Sequence, residues 1–267
     1  MRKMMTALAA VTMSMGMAAC GEAPETEVAA EEGGIAGTWK VDLDSASFEN
    51  DNRNFTLADG QFQCDSCTPP YGYAANGEWQ TVDRPGVDSQ MIEVVDDNTV
   101  KFASRLGDKD LGGATWTISD DGQTATAEWT DLGGDTPVTG KTMYTRTAAG
   151  AEGSHAMSGE WAVSDVADIN DEGLTFTYAV DGDTLTSTGN GDSWTATFGG
   201  DPVAIEGSDS GVMVAVERLS DNSFRETYSR DGETLSSTDI TIDGNTLSGV
   251  SSGARDGSVV RWTATRQ

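Results

Sequence analysis

The chain has 267 residues and a formal net charge of −28, from 44 acidic against 16 basic side chains. Acids spread along the whole chain make a solvated negative surface, which excludes nucleic acid and anionic membrane surfaces as electrostatic partners. Hydrophobic residues make up 37%, with 32 glycines and 6 prolines, the composition of a globular but lightly cored protein.

The N-terminus reads MRKMMTALAAVTMSMGMAAC, two cations followed by an uncharged run rich in Met and Ala. That run is too short and too weakly hydrophobic to span a membrane, and it has the layout of a signal peptide. Its end, Met17-Ala-Ala-Cys20, resembles the lipobox of bacterial lipoproteins. The resemblance implies a signal peptide over residues 1–19 and an acylated Cys20 as the mature N-terminus. Several acyl chains, each buried methylene contributing about 0.8 kcal/mol, anchor a protein far more firmly than one chain does. Gly21 stands where an inner-membrane retention signal places Asp, so the resemblance implies the outer membrane, with the protein facing the periplasm. The mature charge is about −30 once Arg2 and Lys3 leave with the signal. Residues 21–34 carry five acids, no base and no hydrophobic period; residues 20–35 are therefore expected to be a lipidated cysteine and a flexible, self-repelling tether.

From residue 36 onward the chain alternates short strand-like runs with turn signals. Leu174, Phe176, Tyr178 and Val180 alternate with small or polar residues, as do Trp194, Ala196 and Phe198, the period of a half-buried strand. Asp59-Gly60, Asp121-Gly122, Asp181-Gly182, Asp231-Gly232 and Asp243-Gly244 separate such runs, and Asp-Gly tolerates the positive φ at both central positions that two-residue hairpins require. No helical stretch of useful length is present. The expected fold class is all-β, antiparallel and up-and-down.

The pattern occurs twice. Gly37-Thr-Trp39 returns as Gly159-Glu-Trp161, and Asp97-Asn98-Thr-Val100 as Asp221-Asn222-Ser-Phe224. Trp116-Thr-Ile118 returns as Ile240-Thr-Ile242, and the halves close on Tyr144-Thr-Arg146 and Thr263-Ala-Thr265-Arg266. Two copies of one domain are expected, 36–148 and 157–267, joined by a flexible linker over 149–156 that holds the only histidine, His155, as an exposed side chain. Roughly eight or nine strands per copy suit a meander closing into a small barrel. First and last strands are neighbours in a closed meander, so Arg146 is expected over Trp39 and Arg266 over Trp161, each cation–π contact worth on the order of 1–2 kcal/mol when desolvated.

An opening Gly-x-Trp paired with a late arginine resembles the lipocalin superfamily. A closer resemblance is to bacterial envelope proteins with lipocalin-like domains. It rests on Gly37-Thr-Trp39-Lys, Cys64-x-Ser66-Cys67-x-Pro69-Pro70, Pro137-Val-Thr-Gly-Lys141 and Trp194-Thr-Ala-Thr-Phe-Gly-Gly-Asp-Pro202-Val. The middle Thr-Asp-Tyr motif and the C-terminal helix of true lipocalins are missing. The resemblance implies two tandem lipocalin-like barrels.

Catalytic chemistry finds little to work with. A nucleophile needs an adjacent base, and one linker histidine supplies no triad. A zinc site of the common kind needs more Cys and His than remain, so no metal or cofactor is expected. Cys64 and Cys67 lie outside the cytoplasm if the lipobox is right, where an oxidised pair is the default. A redox-active pair normally opens a helix, whereas Thr68-Pro69-Pro70 follows here. A disulfide over so short a loop restricts the unfolded chain by only about 2 kcal/mol, and the pair reads as a staple. Trp79, Trp116, Trp129, Trp194 and Trp262 fall in strand-like runs among small residues, so they either fill the barrels or line a cavity for an apolar ligand or lipid. Three functions follow: a non-catalytic, membrane-anchored binding protein; a structural or protein-interaction module of the envelope; and, with least support, a thiol redox protein.

Overall fold

The computed structural model describes residues 34–267. The signal segment, Cys20 and the tether as far as residue 33 lie outside the described residues. Those described are nearly all β, with one short 3-10 turn at Asp171–Gly173. Their strands form two ten-stranded antiparallel sheets, each curled into a nearly closed barrel.

Barrel 1 is built from one continuous stretch of chain: β2 (Asn52–Ala58), β3 (Gln61–Cys64), β4 (Tyr71–Ala74), β5 (Asn76–Arg84), β6 (Val87–Asp96), β7 (Thr99–Leu106), β8 (Lys109–Ile118), β9 (Thr124–Asp131), β10 (Val138–Ala149) and β11 (Gly159–Ala167). It closes where β11 pairs with β2. Barrel 2 comprises β12 (Thr175–Asp181), β13 (Thr184–Gly189), β14 (Asp192–Thr197), β15 (Val203–Ala204), β16 (Met213–Ser220), β17 (Ser223–Arg230), β18 (Glu233–Asp243), β19 (Thr246–Gly253) and β20 (Val259–Arg266), together with the distant N-terminal strand β1 (Gly37–Glu49). β1 lies between β12 and β20, pairing with both.

The first strands of the two copies are therefore exchanged. The strand carrying Trp39 completes the second barrel, and the strand carrying Trp161 completes the first. In strand terms the first barrel, residues 52–167, is inserted between the first and second strands of the other. This corrects the expected division at 36–148 and 157–267. The arginines follow the strands: Arg146 lies 4.0 Å from the Trp161 ring centroid and Arg266 lies 4.2 Å from that of Trp39. The expected pairs, Arg146 with Trp39 and Arg266 with Trp161, are not the ones formed. The physical reason is degeneracy, because both first strands offer the same Gly-x-Trp and either can satisfy either arginine.

The motif has a local logic repeated in both barrels. Trp39 and Trp161 are fully buried, and their indole Nε1 groups donate to the carbonyls four residues back, Ile35 (3.3 Å) and Met157 (2.9 Å). Each arginine donates to carbonyls just before its tryptophan strand: Arg266 to Gly34 and Ala36, Arg146 to Ala156 and Ser158. A Cβ on Gly37 would stand 2.2 Å from the Arg266 guanidinium, so glycine is what admits the cation. Double-mutant cycles are expected to return coupling of roughly 1–2 kcal/mol for Arg146 with Trp161 and for Arg266 with Trp39. No coupling is expected for Arg146 with Trp39.

The cores follow the alternation read from the sequence. Leu174, Phe176 and Tyr178 are buried, while Val180 emerges to 37% exposure where β12 leaves the core. In barrel 1, Phe55, Phe62, Phe102, Trp116 and Tyr144 are linked by ring contacts with centroids 4.3–5.6 Å apart. Of the Asp-Gly pairs, Asp59-Gly60 and Asp231-Gly232 take positive φ at both residues. Asp181 and Asp243 instead belong to the ladder, opposite Thr184 and Thr246, and Gly182 and Gly244 open their turns. Ten strands per barrel exceed the eight or nine expected.

Side chains from several loops fasten the barrels together. Asn190 exchanges two hydrogen bonds with the backbone of Thr136, at 2.9 and 2.8 Å, and Asn170 bonds to the backbone of Pro137 in the same loop and of Thr139 at the start of β10. Arg255, between β19 and β20, donates to the carbonyls of Asp65 and Cys67 and to Thr68 Oγ1. His155 is not a free linker residue: its Nδ1 accepts from the Met157 amide and its Nε2 lies 2.8 Å from the Asp96 carbonyl.

Candidate functional site

The ladder of each barrel has one interruption, and the two differ. In barrel 2 the gap around β14 and β15 is spanned by backbone: Ser193 of β14 and Glu206, just beyond β15, exchange amide bonds of 3.0 and 2.7 Å, and the Gly199 amide donates to the Val216 carbonyl of β16. In barrel 1, β4 and β5 are joined through the single residue Ala75 yet are not ladder partners. Side chains span this seam. The Gln80 amide replaces a strand neighbour, accepting from the Ala74 N–H (3.1 Å) and donating to its carbonyl (2.6 Å).

Farther along the same seam, Arg84 at the end of β5 lies 3.9 Å from the ring centroid of Tyr71 in β4. Tyr71 stacks on Tyr73 at 5.3 Å, and both pack against the barrel 1 core. Arg84 Nη1 donates to Oε1 of Gln90 (2.6 Å), a side chain only 2% exposed. Arg84 Nε is buried with no hydrogen-bond partner. On the same hairpin, Asp88 Oδ2 accepts from the Gly107 amide (2.7 Å) while its Oδ1 is buried without a partner. Burial pushes the Tyr73 hydroxyl above its usual range, with Arg84 pulling the other way. Aromatic rings, an arginine and an amide thus converge where the wall is closed by side chains alone.

Barrel 2 buries a different polar set. Tyr178 and Tyr228 donate to the two oxygens of Glu226 at 2.5 and 2.7 Å, and Thr238 and Ser251 share a bond of 2.9 Å. Burial pushes the Glu226 carboxyl above the usual glutamate range, against the pull of the two hydroxyls. The folded protein therefore keeps this proton to higher pH than the unfolded chain does. Its contribution to stability is complete below the ordinary glutamate range and is lost as pH rises through the raised folded value. Glu226→Gln is expected to remove that decline. Thermal melts across pH should show variant and wild type converging in acid and the variant gaining toward neutral pH.

The five tryptophans proposed as lining residues separate on inspection. Trp116 is fully buried and stacks on Tyr144 at 4.3 Å, filling barrel 1. Trp194 and Trp262 are buried in barrel 2, where Trp262 covers Gly249 so closely that a Cβ there would meet the indole at 2.3 Å. Trp262 Nε1 has no hydrogen-bond partner. Trp129 is half-buried and donates to Thr142 Oγ1 (3.2 Å). Trp79 does not line an interior: it is 38% exposed and covered by Arg105 at 3.9 Å.

Cys64 and Cys67 form the disulfide, with both residues buried and residues 65–69 bending toward β4 without opening a helix.

Sequence reasoning missed Tyr71, Tyr73, Gln80, Arg84 and Gln90. Glu226 did carry a signal, because it falls in phase with Phe224 and Tyr228, where the alternation places a carboxylate on the buried face. No protein-family profile, no curated protein and no solved structure matches this chain.

Proposed function

We propose that this chain is a non-catalytic, lipid-anchored protein of the bacterial envelope whose first barrel takes up a small apolar ligand at the seam between β4 and β5. The observation that carries the reading is the closure of that seam by the side chains of Gln80 and Arg84, in contrast to the backbone bridging of barrel 2. Side chains rotate without breaking a ladder, and Tyr71 and Tyr73 offer an apolar wall with polar tips beside the seam. The lipobox at Cys20 supports an anchor in the outer membrane, and the Cys64–Cys67 disulfide is consistent with an oxidising compartment.

The test is native mass spectrometry of detergent-free protein together with displacement of a fluorescent fatty-acid analogue by a broad lipid panel. A co-purifying species or saturable displacement supports the reading. No bound species and no displacement by any member of the panel overturns it.

One observation favours the second reading, an interaction module of the envelope. Trp79 is a large exposed aromatic, placed with Arg105 on the outside of barrel 1, and tryptophan and arginine dominate interface hot spots. In-cell crosslinking that recovers a partner in the wild type and loses it in Trp79→Ala would support this reading. Recovery of no reproducible partner would count against it.

A further inference from the structure

We propose that the Cys64–Cys67 disulfide is a redox latch between the two barrels. Oxidised, it holds the β3–β4 loop in the shape that seats Arg255 of barrel 2; a dithiol that reduces it releases that seat. The latch lies at the junction of the barrels and is independent of the seam reading.

Arg255, in the loop between β19 and β20, reaches across to three acceptors of the β3–β4 loop. Its Nη2 donates to the Asp65 carbonyl, and its Nη1 donates to the Cys67 carbonyl and to Thr68 Oγ1 (2.9 Å). Backbone carbonyls converge on one guanidinium only when the loop carrying them is fixed. The disulfide closes residues 64–67, the segment that supplies both carbonyls. Opening the bond returns backbone freedom to those residues, and that freedom must be lost again each time Arg255 docks.

The two sulfurs are not equivalent. Cys64 is fully buried, whereas Cys67 retains 8% exposure between the half-buried Ser66 and Thr68. An incoming thiolate therefore meets Cys67 Sγ, and Cys64 Sγ is the sulfur that leaves. Ser66 Oγ accepts from the Asn54 amide (2.9 Å), which frees its own O–H for Cys64 Sγ, 3.6 Å away. A hydroxyl so placed stabilises the departing thiolate. The exchange runs through a mixed disulfide. First the reductant's thiolate bonds to Cys67 Sγ, the Sγ–Sγ bond breaks, and Cys64 keeps the electron pair and takes a proton. Then the reductant's second thiolate attacks its own sulfur in the mixed disulfide. Cys67 leaves as a thiolate and takes a proton, and the reductant departs as a disulfide, having passed two electrons to the protein.

The effect of opening is local. Asn190 and Asn170 keep their bonds to Thr136, Pro137 and Thr139, so the barrels stay together when the Arg255 contact is lost. Coupling between the two events is reciprocal: if the closed loop favours Arg255 docking, docking favours the closed loop by the same factor. Arg255 is an exposed residue, which sets the factor at about fivefold, the low end of such couplings.

The experiment places the full chain, as wild type and as Arg255→Ala, in dithiothreitol redox buffers. Alkylation reads the thiol fraction, hydrogen exchange by mass spectrometry reads the loops, and circular dichroism establishes that each sample is folded. The Ala254 and Gly257 amides, bonded to the Leu235 and Gly253 carbonyls, report on the Arg255 loop. Reduction of the wild type is expected to speed exchange across 253–258 by about fivefold and to leave 189–191 unchanged. Arg255→Ala should show the faster exchange at 253–258 while still oxidised, with no further rise on reduction. Its disulfide should be about fivefold easier to reduce, a potential about 20 mV higher. Unchanged exchange at 253–258 on reduction of the wild type overturns the latch, as does a reduction equilibrium that Arg255→Ala does not move. A disulfide that dithiothreitol opens only once the protein has unfolded overturns it too.

Discussion

Removal of residues 1–49 will unfold barrel 2 and leave barrel 1 folded. Barrel 1 is built from one uninterrupted stretch, β2 to β11, and loses none of its strands in this truncation. Barrel 2 loses the strand between β12 and β20, and with it the fully buried Trp39 and the buried Val41. Removing a buried tryptophan side chain alone costs about 3–5 kcal/mol, a large fraction of the stability of a domain this size. The loss also exposes two sheet edges and leaves Arg266 without its indole. Hydrogen exchange read by mass spectrometry should show rapid exchange across residues 175–266 and retained protection across 52–167. If each copy closed with its own first strand, the same truncation would open the first barrel instead.

Asp51→Asn will destabilise barrel 1 by about 3–5 kcal/mol, the cost of leaving one partner of a buried ion pair uncompensated. Asp51 and Arg53 are 7% and 5% exposed and joined through Arg53 Nη1 and Asp51 Oδ1. The pair sits where the chain passes from β1 into β2, and the Asp51 carbonyl accepts from the Val163 amide of β11 (3.0 Å). It also lies beside Tyr144, whose hydroxyl burial pushes up to about 12, so no nearby phenolate can take over the role of the acid. Replacing both partners by apolar residues, Asp51→Leu with Arg53→Met, should recover most of the loss, because the desolvation cost disappears with the charges. Urea unfolding followed by tryptophan fluorescence measures both variants.

Much of the fold was legible in the sequence because period-two alternation and Asp-Gly turns are local signals. Leu174, Phe176 and Tyr178 point inward as the alternation required. Strands too short to show a period were not legible: β3 and β4 have four residues each and β15 has two, which is why the expected strand number fell short. Strand exchange was illegible for a different reason. Gly37-Thr-Trp39 and Gly159-Glu-Trp161 present the same glycine gap and the same indole, so the pattern specifies that an arginine sits on a tryptophan without specifying which one. Arg84 was hidden by its context, since Asp83-Arg84-Pro85-Gly86 reads as a turn and its importance comes from Tyr71 and Gln90, brought to it by the seam. Glu226 was within reach of the alternation and went unread.

A cross-link between β1 and β12 tests the exchange of first strands most directly. Thr38 and Thr177 are register partners with their hydroxyls 3.0 Å apart, and directly opposed residues of an antiparallel ladder have Cα atoms about 4.5–5.5 Å apart, the separation a disulfide bridges. T38C/T177C, oxidised and mapped by peptide mass spectrometry, is predicted to form an intrachain bond between positions 38 and 177 in the monomer. Free thiols at both positions in the folded, oxidised protein, or a bond that appears only between two chains, would contradict it.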